Sequence, residues 1–377
     1  MPALSLLIKP ASSLCNLRCN YCFYANVADH RDVQSYGMMS FATVDTLIER
    51  ALAYSDTSIT FAFQGGEPTL AGLDYFKYFV EKVTASKGPK VQVNYALQTN
   101  AMTISHEMAA FFAQHHFLLG VSLDGPKDIH DQNRVAMGGK GTHKTVLQGI
   151  QLLNHYKVDF NILTVVSKSV AKHPQKIYQY FKKSNFNYLQ FIPCLDELGE
   201  AHGDNPYALI PDDYGNFLNR IFDLWYKDFM AGQRISIRMF DNILQILLGY
   251  PPESCDMNGV CSANLVIEAD GSTYPCDFYV LDEWRLGNIQ DFSLQALIQS
   301  TTAHEFVQMS MDQNPTCASC DYLPVCRSGC RRHKTQDKVG NLQLNYFCPA
   351  YKAFYGHTLD RFKEIATILY REMQHQR

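Results

Sequence analysis

Short apolar runs alternate with longer amphipathic stretches through the first half of the chain, the pattern of repeated βα units around a parallel sheet. Leu4–Ile8, Ile59–Phe63, Val91–Leu97, Leu118–Leu123, Phe160–Val166 and Tyr188–Ile192 read as strands. Helical periodicity fills residues 41–54, 72–84, 105–115, 143–156 and 173–183, with Ser40, Ser105 and Thr142 placed as N-caps. Six units fit before residue 200, not the eight of a closed barrel. An α/β fold built on a partial (β/α)6 TIM-like barrel is expected. Its open side suits a large substrate.

Residues 199–211 are polar and rich in Gly and Pro, a surface connection. A helical bridge is expected at about 213–231, a short strand at Ile235–Met239 and a helix near 241–249. Beyond Pro251-Pro252, Leu265–Glu268 and Ser272–Tyr274 flank Asp270-Gly271, a hairpin signal. The rest is loop-rich to about residue 349, so metal ligands are expected to order it, and a helix from about 350 closes the chain. The division expected is a barrel with its helical bridge over 1–235 and a cysteine-rich domain over 236–377.

The cysteines change the picture most. Cys15-x3-Cys19-x2-Cys22 follows the first strand, where α/β barrels build active sites. Cys194 stands alone, and Cys255, Cys261, Cys276, Cys317, Cys320, Cys326, Cys330 and Cys348 crowd the last third. Three thiolates leave one iron of a cubane cluster open, while eight fill two closed sites. Structural zinc is the alternative in each case, since zinc also takes four thiolates. Zinc ribbons favour paired Cys-x2-Cys knuckles, and no second knuckle lies near the first set. Cys194 reads as a small buried hydrophobe.

The 377 residues are 46% hydrophobic and 19% charged, enough for a sizeable core, and the net charge of −4 offers no basic surface for nucleic acid. No apolar run approaches the ~18–20 residues of a membrane span. The opening MPALSLLIKP lacks a basic n-region, and Leu14 is too large for a lipoprotein cleavage site before Cys15. A cytoplasmic monomer with reduced thiols is expected, which favours metal binding over disulfides.

The stretch CNLRCNYC resembles the signature of the radical S-adenosylmethionine (SAM) superfamily. The resemblance implies a [4Fe–4S] cluster on Cys15, Cys19 and Cys22, with SAM chelating its open iron and cleaved by one electron to a 5′-deoxyadenosyl radical. Gln64-Gly65-Gly66-Glu67-Pro68 resembles the family's GGEP motif, which meets the SAM amino group. Two glycines allow close backbone approach, and a carboxylate suits an ammonium. By strand order the same resemblance implies Ser122 and Arg134 at the ribose and carboxylate of SAM, and Tyr21 and Leu195 near its adenine. On their own these residues read equally as strand-end turns or solvated charges.

Cys261-x9-Gly271-x4-Cys276, then Cys317-x2-Cys320-x5-Cys326-x3-Cys330, then Cys348, resembles the SPASM domain pattern, with Cys255 as an eighth ligand. That family implies one [4Fe–4S] cluster on Cys255, Cys261, Cys276 and Cys330, and another on Cys317, Cys320, Cys326 and Cys348. With the first set this makes three clusters. Arg331-Arg332-His333 suggests no role by itself.

Over essentially its whole length the chain resembles anaerobic sulfatase-maturating enzymes, in LSLLIKPASS, FAFQGGEPTLAGL, SLDGPK, VDFNIL, YPCDFYVLD and WRLGNIQD. The resemblance implies Asp277 as general base, for which a perturbed carboxyl among aromatics is expected. It also implies oxygen-independent oxidation of a Cys or Ser to Cα-formylglycine, in an unfolded sulfatase segment carrying Cys/Ser-x-Pro-x-Arg. A flavodoxin or ferredoxin is the implied electron donor. One alternative is a thioether-forming SPASM peptide cyclase, although only 14 residues precede Cys15, too few for a leader-binding domain. The other is a multi-cluster electron carrier, which has no use for an open-site triad and a GGEP motif.

Overall fold

Strand β1 (Leu4–Ile8) buries alternate residues and lies parallel to β2 (Ser58–Phe63), with Leu4 opposite Ile59 and Ile8 opposite Phe63. The same parallel pairing continues to β3 (Gln92–Thr99) and β4 (Leu118–Ser122). In this computed structural model, which describes residues 2–311, 314–335 and 343–375, the strands expected from hydrophobic patterning are present.

The chain forms two compact units. The first comprises Met1–Leu123, His130–Asn161 and Ser262–Phe306; the second comprises Asp124–Ile129, Ile162–Cys261 and Val307–Arg377. They interleave along the sequence, unlike the single division near residue 235 read from the motifs.

The first unit interleaves because of the Asp270-Gly271 hairpin. Its strands β8 (Val266–Ile267) and β9 (Ser272–Tyr274) are antiparallel, and β8 pairs in parallel with the free edge of β1. Gly271 sits at φ +88, where a Cβ would press on the Asn288 side chain at 2.7 Å. Strand β10 (Gly287–Asn288) closes the arrangement against β9. Both edges of β1 are thus satisfied without closing a barrel.

Helices Phe41–Tyr54, Leu73–Ser86 and His106–Gln114 flank these strands. Phe61 and Phe63 project from β2 into a buried aromatic core with Phe76, Phe79, Phe112 and Phe117. Ser40 and Ser105 cap their helices as expected, accepting from Thr43 N and Met108 N. Thr142 does not cap His143–Tyr156. Its hydroxyl instead donates to the Arg134 carbonyl at 2.8 Å and contacts His130 Nε2 at 3.0 Å.

Strand β5 (Phe160–Val166) begins in the first unit and runs into the second, where it pairs in parallel with β6 (Tyr188–Pro193). Strand β7 is only Ser236–Ile237, shorter than expected, because helix Arg238–Leu247 starts at once. It lies parallel to β6. Helices Pro211–Met230 and Cys348–His375 bury Phe222, Trp225, Phe354 and Phe362 with Phe240. Trp225 satisfies its indole N–H on the Ile235 carbonyl at 2.7 Å. Among the described residues no helix is long and apolar enough to cross a membrane.

Candidate active site

The loop from β1 to Cys22 is gripped from two sides within the first unit. On one side stand the glycines after β2. Gly66 N donates to the Ser12 carbonyl and Glu67 N to the Leu14 carbonyl, both at 2.8 Å. A Cβ on Gly66 would lie 2.0 Å from Leu14 O, and one on Gly65 would lie 2.9 Å from Ser12 O. Gly65 also takes φ +128, a conformation that disfavours other residues. These glycines are therefore required by the approach to Cys15 itself.

On the other side, Leu17 bridges Ala136, Arg18 N donates to Val135 O at 2.8 Å, and Asn20 N donates to Asn133 O at 3.0 Å. The segment that carries Arg134 is thus zipped to the cysteine loop. The Thr142 hydroxyl fixes the Arg134 carbonyl, and the Arg134 guanidinium lies 5.5 Å from the centre of the Tyr21 ring. Tyr21 and Arg134 are both buried, as is Ser122 at the end of β4.

Glu67 is buried and its carboxylate is occupied by the protein. Oε1 accepts from Thr69 N, Thr69 Oγ1 and Thr99 Oγ1 at 2.6–3.1 Å, and Oε2 accepts from Asn100 N at 2.7 Å. Burial raises the carboxyl above its ordinary range, and these donors oppose the shift. These bonds brace the ends of β2 and β3 against each other.

Asp277, directly after Cys276, has its two oxygens held separately: Oδ1 by the Lys9 ammonium and Oδ2 by Gln64 Nε2 at 2.6 Å. Lys9 is fully buried, with its ammonium 3.6 Å from the centre of the Tyr24 ring. Tyr24 donates onward to Glu268, which is paired with Arg31 at 2.7 Å. Phe278, the next residue, packs edge-on against Phe23. Neither Lys9 nor Tyr24 was marked by a sequence motif. Lys9 directly follows β1 and lies in the LSLLIKPASS stretch, a position that was its only signal.

In the first unit Cys15 is more buried than Cys22, and burial pushes its thiol up to about 11. Such a thiol keeps its proton at neutral pH unless a metal displaces it. None of the twelve cysteines, all among the described residues, is in a disulfide. In the second unit Cys317, Cys320, Cys326 and Cys348 line one cavity with Leu323, Tyr351 and Tyr355. Four thiols around one apolar hollow fit a closed iron–sulfur site. Cys255 and Cys261 act electrostatically on Cys330, whose thiol is pushed up to about 12 by burial. Cys194 is buried, and burial raises its thiol too. Leu195 and Asp196 follow it at the end of β6, where Arg332 donates to the Asp196 carbonyl at 2.9 Å. His202 meets the Asp196 carboxylate at the same distance. Arg332 therefore anchors the β6 end.

Residues 10–181 match the radical SAM superfamily, and residues 255–321 match an iron–sulfur cluster-binding domain, SPASM. The cysteine-type anaerobic sulfatase-maturating enzyme of Clostridium novyi is 46% identical over 99% of this chain and 100% of its own. A serine-type anaerobic sulfatase-maturating enzyme of Bacteroides thetaiotaomicron is 30% identical over 94% and 89%. The solved structure of native anSMEcpe with bound AdoMet and Cp18Cys peptide superposes with a TM-score of 0.93 at 45% identity, over 98% of this chain and 100% of that one. The expected radical SAM and SPASM architecture stands, and full-length likeness of this degree places the chain in the family of anaerobic sulfatase-maturating enzymes.

Proposed function

We propose that this chain oxidises a cysteine in a Cys-x-Pro-x-Arg segment of an unfolded sulfatase to Cα-formylglycine, without oxygen. The observation that carries the reading is the doubly held Asp277 beside Cys276, within the same unit as the cysteine triad and the Gly65-Gly66 turn. The greater identity to cysteine-type than to serine-type relatives supports a thiol substrate.

Cys15, Cys19 and Cys22 would hold the first [4Fe–4S] cluster, and the eight later cysteines would hold two more in the sets that the resemblance implies. Gln64, Gly65, Gly66 and Glu67 would meet the SAM amino group, as the motif implies. Ser122, Arg134, Tyr21 and Leu195 keep the SAM-contact roles implied for them. Residues 1–235 would act as the radical domain and 236–377 as the auxiliary-cluster domain. When bound, these groups supply an electron that cleaves SAM to a radical, which takes one Cβ hydrogen, and a later acceptor for the substrate's remaining electron.

The chain's own contribution is to hold and deprotonate. Asp277 takes the thiol proton, so loss of a hydrogen atom, a proton and an electron leaves a thioaldehyde that water converts to the aldehyde. Lys9 and Gln64 fix the carboxylate so that only proton transfer is needed. A cytoplasmic monomer reduced by a flavodoxin or ferredoxin completes the reading. Anaerobic incubation with SAM, a reductant and Cys- or Ser-x-Pro-x-Arg peptides, followed by mass spectrometry, tests it. Aldehyde on the cysteine peptide is expected, whereas a thioether product or no product overturns the assignment.

A further inference from the structure

Asn100 belongs to no motif, and none of the roles above uses its side chain. It follows β3 directly and is 7% exposed. Its backbone N–H is spent on Glu67 Oε2 at 2.7 Å. Its Oδ1 accepts from Met102 N at 2.9 Å, an Asx-type turn that fixes the rotation of the side-chain amide. With Oδ1 committed, Nδ2 faces the cysteine loop. There it donates to Asn16 Oδ1 at 2.7 Å and lies 3.9 Å from Cys15 Sγ. The same sulfur receives the Leu17 backbone N–H at 3.4 Å.

We propose that Asn100 is a positioning residue that presents an N–H to the Cys15 sulfur and thereby raises the reduction potential of the cluster on Cys15, Cys19 and Cys22. The inference rests on the reading of that triad as cluster ligands. A reduced cluster carries one more negative charge than its oxidised form, and a donor aimed at a ligand sulfur stabilises the more negative state. No bond to Asn100 forms or breaks; the electron comes from the external donor. Glu67 then has a defined task, because it holds the backbone from which this N–H is aimed. Nδ2 carries two N–H groups, and Asn16 Oδ1 draws the amide toward itself.

The test is potentiometry followed by electron paramagnetic resonance, on full-length, anaerobically reconstituted protein, using the signal that added SAM perturbs. Asn100→Ser keeps an oxygen for Met102 N but loses the N–H, and Asn100→Leu removes both without adding charge. With iron content unchanged, each should shift the reduction equilibrium toward the oxidised form by about tenfold, ~59 mV for one electron. Asn16→Ala, which frees Nδ2 for the sulfur, should leave the midpoint equal or higher. Parent-like midpoints in both Asn100 variants overturn the proposal, and so does loss of iron in both, which would make Asn100 a brace of the loop. A parent signal that SAM does not perturb would instead overturn the triad reading.

Discussion

Lys9 and Asp277 form an ion pair across 268 positions of sequence, with the lysine wholly buried and the carboxylate side chain 16% exposed. Removing one partner of such a pair leaves a buried charge uncompensated, at a cost of about 3–5 kcal/mol. Lys9→Met should therefore lower stability clearly in a denaturant titration. The double variant Lys9→Met/Asp277→Asn should recover part of the loss, since neither charge then remains. Equal losses in the single and double variants would show that Lys9 matters for packing alone.

Asp277→Asn is nearly isosteric but leaves the buried Lys9 ammonium without its counter-charge, so stability should fall while the folded protein keeps all three clusters and SAM binding. Removing a general base costs about 10²–10⁴-fold in rate. The loss should fall on aldehyde formation while reductive SAM cleavage continues, so deoxyadenosine accumulates out of proportion to aldehyde. Aldehyde at the parent rate would remove Asp277 from proton transfer.

Much of this site was legible in the sequence, because iron ligation and close backbone approach demand particular residue types at fixed spacings. Cys15, Cys19, Cys22, Gly65 and Gly66 stand out for that reason. Lys9 and Asn100 did not, because their chemistry depends on partners brought near only by parallel strand pairing. Glu67 was visible as part of a glycine-flanked motif, but the bonds it accepts from Thr69, Thr99 and Asn100 depend on the pairing of β2 with β3 and were not. Thr142 shows the same limit, since a hydroxyl before a helix suggests a cap until a nearer carbonyl claims it. The hairpin at Gly271 was readable from Asp-Gly, but its docking on the edge of β1 was not.

Gly66→Ala tests the grip on the cysteine loop. Its Cβ would meet Leu14 O at 2.0 Å, a backbone atom that can move only with the loop. Reconstituted protein should lose about a third of its iron and its SAM cleavage, since each of three cubanes carries four of about twelve irons. Iron and SAM cleavage at parent levels would contradict the packing described.

Cys194→Ala should keep every iron, because eleven other cysteines suffice for the three ligand sets. The side chain is 3% exposed, so a small cavity and a modest loss of stability are expected. Loss of one cluster's iron would reassign the ligands.

The most direct measurement follows deuterium from the substrate. A Cys-x-Pro-x-Arg peptide deuterated at both Cβ positions is incubated anaerobically with SAM, reductant and the reconstituted enzyme. Deoxyadenosine should gain a single deuterium in equal amount to the aldehyde formed, and the aldehyde should retain the other. Aldehyde without deuterium in deoxyadenosine, or deuterated deoxyadenosine with a product other than formylglycine, would contradict radical oxidation at the cysteine Cβ.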